Sequence, residues 1–355
     1  MAVQADPQTG QQATPSERGP GGGSRALASG ALGWGRRFLT LREGSVVVIT
    51  IATALYFAIN TDHFATSGNF KTLLPYFAPV AILAAGEVFL MINGEIDLSI
   101  GAVYLFAPYM FHVAHNHGVP LIAALCVALF ACMVVGFING FFTAVVGINS
   151  FITTLGMLLG LEGLTLIISH AQPVDTPGTD VTHTTTFANI FGAGTYSQLI
   201  WAVAIVVALQ VVLSFTRWGI YTVAVGGNRH GSGEAGIRVR LILVRNFVLC
   251  STCAAFVGII EAVRTSSVQP DPSGANEVLF DGISAAVIGG TLLAGGSGTV
   301  VGALIGALFL GILRDGLTLE GVNADYLDFI LGVAILGAMV INVYVGRVRK
   351  GSGSA

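Results

Sequence analysis

Ten runs of mostly apolar residues fill most of the chain: 41–59, 73–92, 98–114, 120–141, 149–169, 198–215, 241–263, 279–293, 299–314 and 326–346. A helix needs about 20 such residues to cross the hydrocarbon core of a bilayer. Inside lipid every backbone amide and carbonyl must be bonded within the protein, which favours helices for runs of this length. The sequence therefore reads as an all-α, polytopic membrane protein with about ten transmembrane helices. The second, third, eighth and ninth runs hold Gly clusters or acidic groups and read as weak, broken or partial spans. Composition agrees, since hydrophobic residues make up 54% of the chain and charged residues only 10%, against about 25% charged in soluble domains. Gly is high at 47 of 355 residues, which suits close helix packing in a membrane.

Charge placement orients these spans. Arg217, Arg229, Arg238, Arg240 and Arg245 form a basic island between the sixth and seventh runs, and cytoplasmic loops carry the excess of Lys and Arg. With the amino end inside, ten spans put both ends in the cytoplasm. Thirteen of the sixteen basic residues then face inward: Arg18, Arg25, Arg36, Arg37 and Arg42, the island, and Arg347, Arg349 and Lys350. The segment Gln172–Gln198 falls outside, with Asp175 and Asp180 but no Lys or Arg. Removing any one span breaks the pattern. Residues 1–38 are expected to be a disordered cytoplasmic tail; no apolar run follows the start, so they do not read as a secretory signal. Residues 39–346 form the transmembrane domain, with a cytoplasmic loop at 216–240. Residues 347–355 are a second tail, whose Gly351–Ala355 end reads as either a flexible tail or a cloning remainder.

No catalytic constellation stands out. There is no HExxH, no GxSxG and no nucleophile beside a base. The run 295–306 is rich in Gly but lacks the Lys of a phosphate loop; Gly298, Gly302 and Gly306 instead share one helix face and allow close packing. Cys126, Cys132, Cys250 and Cys253 sit in apolar runs and read as packing residues. His112, His115 and His117 cluster in a short outer turn; metal binding there is the lesser reading. No metal, cofactor or nucleic-acid partner is expected.

Acidic groups inside spans usually pair or line a cavity. Glu261 and Arg264 are three apart on one helix and read as a structural pair. Glu95 and Asp97 lie in NGEIDLS, a helix break. Asp97 and Ser99 there either cap the third span or, with Asn93, line or gate a path. Glu162 is a candidate for a polar path or a subunit contact. Asn139, Asn149, Phe151 and Thr154 bracket a short inner loop. They read equally as a path for a polyhydroxylated solute and as helix ends and caps. The breaks at 92–103 and 288–303 echo one another faintly, as in repeat-built transport folds.

The chain resembles the permease subunit of ribose-type monosaccharide ABC importers, through NGEIDLSIGAV, INGFFTAVVGINSFITTLGML, GLTLIISHAQPV, AVGGN, GIIEAVRTSSVQP and AAVIGGTLLAGGSGTVVGALIGALFLGIL, in the family's order over about residues 70–346. The resemblance implies a homodimer in the bacterial cytoplasmic membrane. Two ATPase domains, often fused, dock inside, and a periplasmic or extracellular sugar-binding protein docks outside. It implies a coupling helix after the sixth span, with Gly227, Asn228, Glu234, Ala235, Gly236 and Ile237 as ATPase contacts. Members commonly show an Ala-rich stretch after the Asn. Here His230, Gly231 and Gly233 follow, and helical Gly costs about 1 kcal/mol relative to Ala. The helix is therefore expected to be shorter, to start later near Ser232, or to form only against the ATPase. The function expected is inward transport of ribose, xylose or a related sugar by alternating access. The alternatives are an ABC permease for a nucleoside, branched-chain amino acid or signalling sugar, and an ion-coupled secondary carrier using Glu162 or Asp97.

Overall fold

The computed structural model describes residues 43–179, 185–323, 326–337 and 339–340. The two expected tails, 1–38 and 347–355, lie outside the described residues, as do Arg18, Arg25, Arg36, Arg37, Arg42, Arg347, Arg349 and Lys350. In chain order the helices are α1 (Gly44–Asn60), α2 (Ser67–Ile92), α3 (Ile100–Asn116), α4 (Leu121–Phe141, continued by a π-helical turn Phe142–Val146), α5 (Ser150–Ser169), α6 (Thr186–Phe191), α7 (Ser197–Phe215), α8 (Arg217–Gly227), α9 (Arg229–Glu234), α10 (Val239–Thr265), α11 (Pro272–Ile288), α12 (Val300–Leu319) and α13 (Tyr326–Gly337). Two short strands, β1 (Val174–Asp175) and β2 (Ser267–Val268), pair antiparallel with Val174 opposite Val268.

Each of the ten apolar runs overlaps a helix among the described residues; the eighth outlasts its helix by five residues, and 341–346 of the tenth lie outside the described residues. Six are long and apolar enough to cross a membrane: α2, α4 with its π turn, α5, α7, α10 and α12. α1 and α13 are shorter apolar helices. The second and ninth runs, expected to be weak, are full-length helices of 26 and 20 residues. Their glycines lie inside the helices, Gly86 in α2 against α10 and Gly302, Gly306 and Gly311 in α12, where they allow close helix contact. The third and eighth runs are the short ones, 17 residues each, and α11 starts at Pro272 and stops at Ile288.

α2 and α10 form the centre. α2 packs against α7, α10, α11 and α12, and α10 against α3 and α4 as well. Every residue of α2 from Phe77 to Ile92 is buried, as expected for a helix apolar on all sides. α4, α5 and α7 bury one stripe and leave large apolar side chains such as Phe130, Ile152, Leu159, Ile200 and Phe215 exposed.

Two of the breaks between helices, 93–99 and 289–299, share one architecture. α2 ends with Gly94 at φ +72°, with Glu95 N donating to Leu90 O at 3.1 Å and Gly94 N to Met91 O at 2.9 Å. α11 ends the same way, with Gly290 at φ +94°, Thr291 N donating to Ala286 O at 3.1 Å and Gly290 N to Val287 O at 3.0 Å. This paired closure satisfies terminal carbonyls and needs a left-handed residue, which favours Gly. The two breaks meet: Gly296 N donates to Ile92 O at 2.7 Å.

Helix–helix contact rests on small residues. A methyl at Gly306 would lie 2.1 Å from Ala285 O, and one at Gly302 would lie 2.1 Å from Gly289 O. Both glycines therefore press α12 onto α11. Gly298 does not share that helix face, because it precedes Thr299, the residue that caps α12. Arg314 of α12 pairs with Glu277 and Asp281 of α11, and Glu261 pairs with Arg264 and accepts from Gln198 Nε2 at 2.8 Å.

Gly306→Leu forces the α11–α12 backbones apart, and overpacking typically costs about 1–3 kcal/mol. The variant is expected to melt several degrees lower in detergent, read by tryptophan fluorescence. Gly233→Ala on α9, where an added methyl meets open space, is expected to leave the melting point unchanged.

Candidate functional site

The carbonyl end of α2 is the meeting point of four elements. The Asn93 side chain donates to Thr222 O of α8 at 2.7 Å and accepts from Asn246 Nδ2 of α10 at 2.6 Å. Asn246 Oδ1 accepts from Trp218 Nε1 at 2.7 Å, and its Nδ2 also reaches Phe89 O at 3.2 Å. Asn93, Thr222 and Asn246 are all buried. One amide thus holds α2, α8 and α10 together. At Gly226 the α8 backbone comes so close that an added methyl would lie 1.9 Å from Ile92 O.

The segment after α8 is folded and exposed. Asn228 Oδ1 accepts from Gly231 N at 2.9 Å and caps α9. α9 closes with Gly236 at φ +84°, Ile237 N donating to Ser232 O and Gly236 N to Gly233 O, both at 3.0 Å. The helix therefore begins directly at Arg229, not later near Ser232, and at six residues it is short, as the first of the three expectations had it. An Asn cap is worth about 1 kcal/mol; with the closing pair of bonds it offsets the cost of Gly231 and Gly233. Gly227, Asn228, Glu234, Ala235 and Gly236 are exposed, and Ile237 is half-buried. His230 and Glu234 pair at 3.2 Å along the outer face. Arg229 turns the other way: one Nη2 donates to Asn93 O and to Glu95 Oε1, both at 2.6 Å.

Deeper lies a second polar cluster. Asp97 N donates to Glu87 Oε1 at 2.9 Å, and the Cys250 thiol lies 2.9 Å from Glu87 Oε2. Asp97 Oδ1 accepts from Ser99 N at 2.9 Å and from Ser99 Oγ at 2.6 Å; Asn139 Nδ2 donates to Ser99 Oγ at 2.8 Å. Asp97 thus caps the entry to α3, whereas Ser99 makes no side-chain cap bond. Asn139 braces this break and does not end α4, which runs on to Val146. Asn246 and Cys250 are four apart on α10, so one helix face carries both clusters.

The remaining sequence candidates sit on α5. Asn149 caps it, accepting from Phe151 N at 2.9 Å, and both side chains are exposed. Thr154 is buried and donates to Ser150 O at 2.8 Å. Glu162 is half-buried and accepts from Asn276 Nδ2 at 3.0 Å. The structure brings Asp97 and Asn139 together, sets Asn93 in the cluster one turn of α10 away, and leaves the α5 group apart. His112, His115 and His117 each place Nδ1 within 3.1 Å of a backbone carbonyl. Sequence reasoning passed over Trp218, Thr222 and Asn246, and gave Glu87 and Arg229 no partners. The available signal was Asn246, a lone amide in an apolar helix, which usually finds a cross-helix partner.

Asn246→Leu leaves Trp218 Nε1 and Asn93 Oδ1 without their shared partner. An unsatisfied buried group costs about 1–3 kcal/mol. The variant is expected to melt lower in detergent and to shift the Trp218 emission away from that of a hydrogen-bonded, half-buried indole. Phe151→Ala is expected to melt like the parent.

Residues 69–339 match the family model described as a branched-chain amino acid transport system / permease component. The chain is 34% identical over 323 residues to the xylose/arabinose import permease protein of Sulfolobus acidocaldarius, covering 88% of this chain and 86% of that one. It is 33% identical over 316 residues to the ribose import permease protein of Escherichia coli, covering 87% and 97%. It is 26% identical over 310 residues to the D-allose transport system permease protein of Escherichia coli, covering 86% and 93%. The chain belongs to this permease-component family, as the membrane subunit of an ABC importer of the ribose-type group.

Proposed function

We propose that this chain carries a monosaccharide, a pentose or related sugar, inward across a bacterial cytoplasmic membrane, driven by a partner ATPase. The observation that carries the proposal is the exposed, capped helix α9 within a basic segment, joined through Arg229 to the break after α2. In this reading all ten helical runs cross the bilayer or enter it as partial spans, both chain ends are cytoplasmic, and α9 is the coupling helix. Gly227, Asn228, Glu234, Ala235, Gly236 and Ile237 meet the ATPase, which has two nucleotide-binding domains, fused or separate. A sugar-binding protein docks on the opposite face, beside β1 and β2.

Two copies enclose the path. On α5, Gly156, Gly160 and Gly163 share one side of the helix, and a methyl at any of them meets open space. A stripe of small residues lets a second backbone approach closely. Asn149, Phe151 and Glu162 lie on the same helix as that stripe. Asn93, Asp97, Asn139 and Thr154 are buried in this conformation, and they join the path when the break moves. The sugar assignment follows the relatives named for xylose, arabinose, ribose and allose import; the family description, naming branched-chain amino acids, supports the second reading.

In proteoliposomes with ATPase and binding protein, sugar uptake is expected to stop when the ATPase is made hydrolysis-dead; continued uptake rejects the proposal in favour of an ion-coupled carrier. A ligand panel on the binding protein separates sugars from branched-chain amino acids. Leu159→Cys on the exposed side of α5 is expected to give a disulfide-linked pair in membranes, whereas Val211→Cys on α7 is not.

A further inference from the structure

We propose that Arg229 is the relay by which α9 moves the break in α2, a positioning residue for transport rather than an ATPase contact. The inference rests on the importer reading above. Arg229 is the first residue of α9; its side chain is 46% exposed, and its guanidinium reaches back to the break after α2. Its two acceptors both lie on the break: the carbonyl of Asn93 and the carboxylate of Glu95, whose side chain is only 9% exposed. Among the described residues Arg229 is the one cation that Glu95 meets as an ion pair. A cation at a helix carboxyl end also meets the negative end of the helix dipole, and Asn93 is the last cap position of α2. The linkage is therefore charge-assisted at both bonds, and such bonds are the strong ones.

The route onward is continuous. Asn93 is clasped by Asn246 of α10 and by Thr222 of α8. Gly94, with its left-handed backbone, follows at once. Three residues further on, Asp97 N is bonded to Glu87 in α2, and Asp97 Oδ1 holds the start of α3. Ile92 O is bonded to the second break through Gly296 N. A pull on α9 acts through Arg229 on the segment where α2 hands over to α3. Without the guanidinium, α9 still has its own cap and its own closing bonds, so it still folds and still presents its outer face. The consequence is a specific uncoupling: hydrolysis continues while transport falls.

The test uses the assembled complex in proteoliposomes, measuring sugar uptake and ATP hydrolysis on the same samples, with ATPase retention checked by pull-down. Site-to-site coupling is typically worth 5–150-fold, so Arg229→Gln is expected to lower uptake about tenfold while hydrolysis and ATPase retention stay within about twofold. Glu95→Gln is expected to give the same split, and the double variant is expected to be no worse than Arg229→Gln, as for two ends of one contact. Arg229→Lys, which keeps the charge, is expected to recover part of the uptake. Parent-like uptake in Arg229→Gln overturns the relay and leaves the importer reading standing. So does a loss of ATPase from the complex in proportion to lost uptake, since that makes Arg229 a docking residue. An unmodified complex that transports without ATP overturns both readings.

Discussion

The hydrogen bond from Gly296 N to Ile92 O, 2.7 Å long, states the constraint under which the whole molecule is built. A bilayer offers no water to an unpaired backbone group, and irregular backbone survives at that depth only when buried in protein. Two of the irregular stretches between the described helices, 93–99 and 289–299, meet, and the second supplies a donor to the last carbonyl of α2. Both begin with the same left-handed glycine closure at Gly94 and Gly290. That shared opening gives physical content to the faint similarity of the two sequence segments. The central position of α2, buried from Phe77 to Ile92, follows from having to hold one break while sheltering the other.

Polar side chains in the interior are arranged around that meeting point. Asn246, Asn93, Thr222 and Trp218 satisfy one another, and Asp97, Ser99, Asn139, Glu87 and Cys250 form a second set one turn of α10 further along. Each set ties the end of α2 or the start of α3 to α10 or α4. The basic segment is stitched to this region at two points, through the Gly226 backbone and the Arg229 side chain.

Much of the fold was legible because lipid solvation is a local property. Among the described residues every apolar run overlaps a helix, since a run of that length has few other ways to satisfy its backbone. Where the reading failed, it weighed composition without position. The glycines of the runs at 73–92 and 299–314 do not break helices but seat them, Gly86 against α10 and Gly302 and Gly306 against α11, and Glu87, internal to α2, finds its partners in Asp97 N and Cys250. Of the three readings of α9, the short helix fits and the delayed start near Ser232 does not, because the Asn228 cap and the terminal closure hold the helix from Arg229 onward. The site was less legible. Asn93 and Asn246 are 153 positions apart, and no local pattern announces such a pairing. Gly298 was misplaced by one turn of spacing, because Thr299 starts the helix after it.

The self-contained closure of α9 bears on how fast and how tightly anything can associate with it. A segment that must order itself on contact spends part of its interaction energy on lost conformational freedom. α9 already has fixed ends and a fixed direction, so a cleft of matching shape receives a rigid peg. If α9 is the coupling helix proposed above, a partner meets a segment already capped and closed, and less of the interaction energy goes to ordering it.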